Sequence, residues 1–431
     1  MGRKKIYQKD LGYDILKPII DCTVKNSYRR ISVKGVDNIP DDGAVILAPN
    51  HCNTLMDALV VLRADRRAKV FGARADMFNI KLVAKIMYFL RILPMVRLRD
   101  GLRNVLKNKD TEEIIIETLE YKVPFCIFPE GKHRPAHSLQ TLGKGIFRAA
   151  LGANAKFGDK MPVYIVPVGI EYGDYFRFRS TVLVTFGKAM NITEFIKTLD
   201  VENEAQMMEP LRRELSSRIS ELITYMDFNE DYDGKWTLTK LLALGFHGTL
   251  EDQKNNNKRI IAEIEQKYEK HPEQMKELLD KAARFDKTRR KKGVSIYSFA
   301  AKSSKSRILL KALAALILLP GYIFSAIVSL PMWGTFEFLK TIIKDKAFRN
   351  TAGFGVKLVG SIIFTVAWAV AAFCTLSWPL ALIFTLLTIP TYSYFYDYNE
   401  FMRRFISDIR LASNGKLKDF KNEIINAYKN L

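Results

Sequence analysis

The apolar positions of this chain fall into two regimes. Up to residue 188 they come as short runs alternating with helically spaced stretches, whereas beyond residue 308 they fuse into long runs without charge. In the first regime Leu11, Ile15, Leu16, Ile19, Ile20 and Val24 lie along one side of a helix over 10–24, with lysines beside it, which suits a helix packed on a domain. A short strand at 31–33 and a turn at 38–43 carrying Pro40 and Gly43 lead into an apolar strand at 44–47. That strand empties into the polar stretch 48–57, and a helix follows through 58–62. The alternation continues with strands at 68–73, 92–98, 124–128, 163–170 and 181–186 and helices at 80–90, 111–120 and 142–155. Strands alternating with helices predict an α/β domain whose loops at one sheet edge carry the site.

The second half reads differently. A helix at 210–226 packs on the domain's edge, the acidic, glycine-ended stretch 229–234 is a break, and helices follow at 236–246 and 259–285, the second so crowded with charge that a solvated helix pair or stalk is expected. Segments 312–336 and 358–396 hold no charged residue. The second is long enough for two helices joined at Ser377-Trp378-Pro379, a transmembrane hairpin, while the first is interrupted at Pro320-Gly321 and Pro331 and reads as re-entrant or interfacial. Basic residues before the first run (Lys305, Arg307, Lys311), after it (Lys340, Lys344, Lys346, Arg349) and in the tail (Arg403, Arg404, Arg410) call for an even number of crossings in each run. The predicted layout is a helix at 1–30, the α/β domain at 31–228, a charged helical connection at 229–304, and a membrane region with a basic cytoplasmic tail at 305–431.

Charge changes the picture of the partner. Lys and Arg number 67 against 46 Asp and Glu, a net charge of +21, which requires an anionic surface. The basic run at 287–292 lies just ahead of the apolar segments and lacks the interleaved aromatics of a nucleic-acid site, so a phospholipid membrane and no nucleic acid is expected. The four cysteines are far apart, without metal-ligand spacing, and fit a reducing compartment. The basic start, residues 1–7, has no signal-type apolar core behind it, so the first domain is expected in the cytoplasm.

The chemistry concentrates in three turns. His51 can take a proton from an alcohol, and Asp57 on its other ring nitrogen would fix the tautomer, provided His51 sits in the turn and Asn53 or Thr54 caps the helix. A solvated histidine with an unrelated aspartate is the plain alternative. Cys52 beside it points away on an extended turn and makes a poor nucleophile. Arg97 and Arg99, near the end of the 92–98 strand, suit a phosphate or a surface ion pair. Glu130, Gly131, Lys132, His133 and Arg134 follow another strand as a cradle for an anion, with Gly143-Lys144-Gly145 opening the next helix toward it.

Asn50-His51 with Asp57, the Ile-Leu-Pro-Met-Val-Arg stretch ending at Arg97, Phe128-Pro129-Glu130-Gly131, and Ile165-Val166-Pro167-Val168-Gly169 occur in that order. Together they resemble the four-block pattern of the glycerolipid acyltransferases, the glycerol-3-phosphate and 1-acylglycerol-3-phosphate acyltransferases, over 32–188. The resemblance implies an acyltransferase domain with a mostly β central sheet flanked by helices, followed here by a helical segment and an α-helical membrane region. It implies His51 as catalytic base and Asp57 as its orienting carboxylate, with Asn50 in the same block. Arg97 would hold the acceptor's phosphate, Glu130 and Gly131 would shape the acceptor pocket with Lys132 and Arg134 beside it, and Pro167 would lie in the block for donor or acceptor. The hydroxyl would attack an acyl thioester directly, with acyl-CoA or acyl carrier protein as co-substrate and neither metal nor other cofactor. Two features depart from the common pattern. Five residues rather than four separate His51 from Asp57, and Lys132-His133-Arg134 stands where a small hydroxyl residue and then a basic one are usual, which makes His133 a rival base. Another lysolipid acceptor, or a membrane protein that binds lipid without catalysis, are the competing readings.

Overall fold

The computed structural model describes residues 5–95, 102–199, 201, 203–300 and 305–431. Two compact units emerge, Met1–Tyr225 together with Asp345–Thr351, and Met226–Lys344 together with Ala352–Leu431.

The first unit is built on one mixed sheet. Helix α1 (Leu11–Ser27), capped by the Asp10 carboxylate on the Gly12 and Tyr13 N–H groups, precedes β1 (Arg30–Lys34). Then come β2 (Ala44–Pro49), α2 (Leu55–Ala64), β3 (Val70–Arg74), α3 (Lys81–Phe89), β4 (Ile92–Met95), α4 (Leu102–Glu120) and β5 (Phe125–Cys126). The unit continues with α5 (Gly145–Phe157), β6 (Val163–Tyr172), β7 (Thr181–Phe186), β8 (Met190–Asn191), α6 (Ile192–Lys197) and α7 (Glu204–Leu222).

Strand order is β1-β7-β6-β2-β5-β3-β4, with β8 on β6. Only β6 with β7 and β6 with β8 run antiparallel. β2 is flanked in parallel by β6, from Ala44↔Val163 to Pro49↔Val168, and by β5 at Ile46↔Phe125 and Leu47↔Cys126. It is buried along its whole length, which is why it reads as an unbroken apolar run. Pro167, lacking an N–H, falls where the β6 ladder passes from β8 to β7, and its carbonyl accepts the Gly187 N–H at 2.8 Å. One face of the sheet carries the core, where Phe125 and Ile165 meet Ile115 and Leu119 of α4, Ile146 and Phe147 of α5, and Leu211, Leu215 and Ile219 of α7. With β2, β5 and β6 parallel, their C-terminal ends open at one edge.

Several boundaries move from expectation. α2 begins at Leu55, α4 extends back to Leu102, and β5 shrinks to two residues as the chain turns at Phe128-Pro129. α5 begins at Gly145, and the Gly143 N–H is taken by the Pro129 carbonyl at 2.7 Å rather than left for an anion.

In the second unit the charged helices are not a solvated stalk. α8 (Tyr232–Leu242), α9 (Leu250–Lys270) and α10 (Pro272–Lys291) enclose a core with the last helix. Leu238, Ile260, Ile264, Met275, Leu279 and Phe285 meet Leu411, Leu417, Ile424 and Tyr428 of the C-terminal region. Arg289 in the basic run is turned inward, bonded to Asp286 and to the Val294 carbonyl, while Lys287, Arg290, Lys291 and Lys292 stay exposed.

The apolar half follows as α11 (Lys305–Val328), α12 (Leu330–Ile342), α13 (Lys346–Thr375), α14 (Trp378–Thr388), α15 (Thr391–Ala412) and α16 (Gly415–Lys429). α11 and α13 are long and apolar enough to cross a membrane, and α14 with α15 forms a pair bent by 48°. α11 runs through Pro320, and the break comes at Ser329, just before Pro331. The Tyr394 and Tyr398 hydroxyls donate to the Leu318 and Ala315 carbonyls at 2.9 and 3.0 Å, tying α15 to α11.

Candidate active site

The turn between β2 and α2 places His51 and Asp57 in contact, with Nδ1 2.8 Å from Oδ2. Asp57 is fully buried on the first turn of α2. Its Oδ2 also accepts the Cys52 and Asn53 N–H groups at 2.8 and 2.7 Å, and its Oδ1 accepts the Tyr172 hydroxyl at 2.7 Å. Four donors thus converge on one buried carboxylate, whose oxygens are satisfied without water, and one of the four is His51 Nδ1. That donation leaves Nε2 as the basic nitrogen, on a side chain 17% exposed. Burial beside Asp57 raises the phenol of Tyr172 and the thiol of Cys52 well above their ordinary values, so Tyr172 remains a donor and Cys52 is no nucleophile.

The turn is held tightly at its start and strained at its end. Asn50 is buried, giving its amide N–H to the Ile170 carbonyl and accepting the Ile170 N–H at 2.7 Å, so it locks β2 to β6 instead of facing a substrate. Neither Asn53 nor Thr54 caps α2 through its side chain as expected. Thr54 has φ +48° and ψ −129°, a region that costs an L-residue about 1–3 kcal/mol. Its hydroxyl meets that of Thr351 at 2.8 Å and the Ala347 carbonyl at 3.2 Å.

The loop after β5 braces the histidine from the other side. Glu130 accepts the His51 N–H at 2.7 Å and the Gln140 N–H at 2.9 Å. Burial, only partly offset by these bonds, raises its carboxyl above the ordinary range. Glu130 therefore braces the turn that carries His51, where the sequence suggested only a pocket-shaping role. Gly131 has φ +63° with open space where a Cβ would stand, so conformation and not crowding calls for glycine. Its N–H closes a turn on the Phe128 carbonyl, and the Phe128 ring stacks on His51 at 4.4 Å. The Arg134 N–H donates to the His51 carbonyl at 2.9 Å, and Lys132 is exposed next to it. His133 lies 5.9 Å from His51, ring to ring, with Nε2 2.9 Å from Asp345. Pro167 is within the sheet, and Arg97 and Arg99 lie outside the described residues.

Sequence reasoning missed a buried layer behind Asp57. The Tyr175 hydroxyl lies 3.2 Å from His137 Nδ1, the same nitrogen stands 3.3 Å from Glu171, and Glu171 also accepts the Thr224 N–H. Nothing in the spacing of these residues marked them, because they meet only when β6 and its following loop lie beside β2.

Residues 30–171 match the Acyltransferase family model. The matched residues include His51, Asp57, Glu130 and Pro167, so this part of the chain is similar to that family. Among solved structures, the 1-acyl-sn-glycerophosphate (LPA) acyltransferase PlsC from Thermotoga maritima is 21% identical, covering 50% of this chain and 81% of its own, with a TM-score of 0.35. No curated protein matches the chain.

Proposed function

We propose that this protein is a membrane-bound O-acyltransferase that moves a fatty acyl group from a thioester donor to a hydroxyl of glycerol 3-phosphate or 1-acylglycerol 3-phosphate, a step of phosphatidic acid synthesis. The observation that carries this is the His51–Asp57 pair inside the part of the chain similar to the acyltransferase family. The acceptor oxygen attacks the thioester carbonyl carbon while His51 Nε2 takes the hydroxyl proton. Asp57 holds the resulting imidazolium. As the adduct collapses, the C–S bond breaks and the sulfur takes that proton, so coenzyme A or acyl carrier protein leaves as a thiol. Arg97, together with Lys132 and Arg134 in the loop after β5, is the reading for the acceptor's phosphate.

The membrane part of the reading is supported by the two apolar helices and by the basic residues, each contributing about 1 kcal/mol near anionic headgroups. The tendency of basic loops to stay inside puts the catalytic domain on the cytoplasmic face, where thioester donors are made. The test is thiol release from a labelled acyl thioester by the full chain in detergent, with each acceptor offered separately. Release with one acceptor is expected, and His51→Ala should cut it by a factor on the order of 10²–10⁴. Silence with both acceptors under coenzyme A and carrier-protein donors alike would sink this acceptor class. Full activity of His51→Ala would sink the base.

A further inference from the structure

Asp345–Thr351 lies far along the chain from the acyltransferase domain yet belongs to the same compact unit. It clasps the turn after His51 at Asn53 and Thr54, the two residues between Cys52 and α2. The Asn350 amide donates to Asn53 Oδ1 at 2.8 Å and to the Tyr175 carbonyl at 2.6 Å, and Asn53 donates to that same carbonyl at 3.0 Å. The Thr351 and Thr54 hydroxyls meet at 2.8 Å, on the residue with the strained backbone. Asp345 faces His133 and caps the helix by accepting the Ala347 N–H at 2.8 Å, while Ala347 itself is buried. Asn53 and Thr54 stand directly between His51 and Asp57, and the Asn53 N–H is one of the four donors that fix the Asp57 carboxylate.

We propose that Asn350 and Thr351 are positioning residues for acyl transfer, holding the turn that keeps His51 on Asp57. The inference rests on the general-base reading of His51. Its physical basis is that a polar turn with one residue in an unfavourable conformation will not keep its shape alone. The segment that braces it opens α13, one of the two helices apolar enough to cross a membrane.

The test uses the full-length protein with two shape-keeping variants. Asn350→Asp turns the donor into an acceptor facing two acceptors, and Thr351→Val removes only the hydroxyl. Hydrogen exchange of peptides spanning 50–57 and steady-state kinetics are measured on the same preparations, with far-UV circular dichroism to confirm folding. Exchange of the turn should quicken, and kcat should fall by about 10- to 100-fold with little change in KM, the cost of a base displaced by a fraction of an ångström to one ångström. Exchange and kcat must change together in at least one of the two variants. A change in one without the other, or in neither, overturns the proposal. A His51→Ala protein that keeps its turnover would overturn the general-base reading by itself, and the exchange of the turn would then decide the clasp.

Discussion

At the scale of single residues, the site is a matter of which charges are made easy and which are made hard. Asp57 has four donors and is buried, whereas Glu130 is buried with two N–H groups that do not fully offset the loss of water. The native carboxyl of Glu130 is therefore raised above its ordinary 4.5 by desolvation. The unfolded chain releases that proton first, so above 4.5 the native state binds more protons and stability from this group falls as pH rises through the native value. We expect the denaturant midpoint of the protein in detergent to decline across that window, and Glu130→Gln to flatten the decline. An unchanged slope in the variant would place the pH dependence elsewhere. His51 and Asp57 were legible because both ends of their interaction lie within one turn. The donors that complete the site were not, since Tyr172 reaches Asp57 from 115 positions away and Asn350 reaches Asn53 from 297.

At the scale of elements, packing decides what spacing leaves open. The buried strands β2, β6 and β7 were readable as apolar runs because each is covered on both faces. The ends of β5 and α5 were not, because their residues are diverted into the brace around His51, as the Gly143 and Gln140 N–H bonds show. The charged helices α9 and α10 misled for a related reason. Their apolar positions are sparse, and the core they form is completed by Leu417 and Ile424, which lie more than a hundred residues further on. Gly169 offers a test of how closely elements must approach. A Cβ there would stand 2.5 Å from that of Leu222 and 2.9 Å from its carbonyl, so α7 would have to lift from β6. Gly169→Ala should cost about 1–3 kcal/mol and lower the melting temperature. An unaltered melting temperature would mean that α7 moves away freely. Turnover should fall less than stability at low temperature, because Asn50 still locks β2 to Ile170 beside it.

At the scale of the whole molecule, chain connectivity constrains the membrane topology. In the second unit, residues of 238–296 share one core with residues 411–428, so we expect the chain to enter and leave its apolar half on one face of a bilayer. On that expectation the stretch from α11 to α12 and the stretch from α13 to α15 would each return to the face they left, which labelling can test. α12 has 13 residues, about 20 Å of helix against the roughly 30 Å of a hydrocarbon core, which is short for a second crossing, so a re-entrant first excursion is expected. α13, with 30 residues and about 45 Å, is long enough to reach across, and its end carries Cys374. The native cysteines make this measurable, since Cys22 and Cys374 are exposed while Cys52 and Cys126 are buried. In sealed vesicles an impermeant maleimide should modify Cys22 from one face and Cys374 from the other. Cysteines introduced as Lys344→Cys and Asn414→Cys should react from the face of Cys22. Reaction of Lys344→Cys from the face of Cys374 would carry α11 fully across and separate Asn350 from the turn it clasps. One labelling experiment thus bears on both the topology and the geometry of the base.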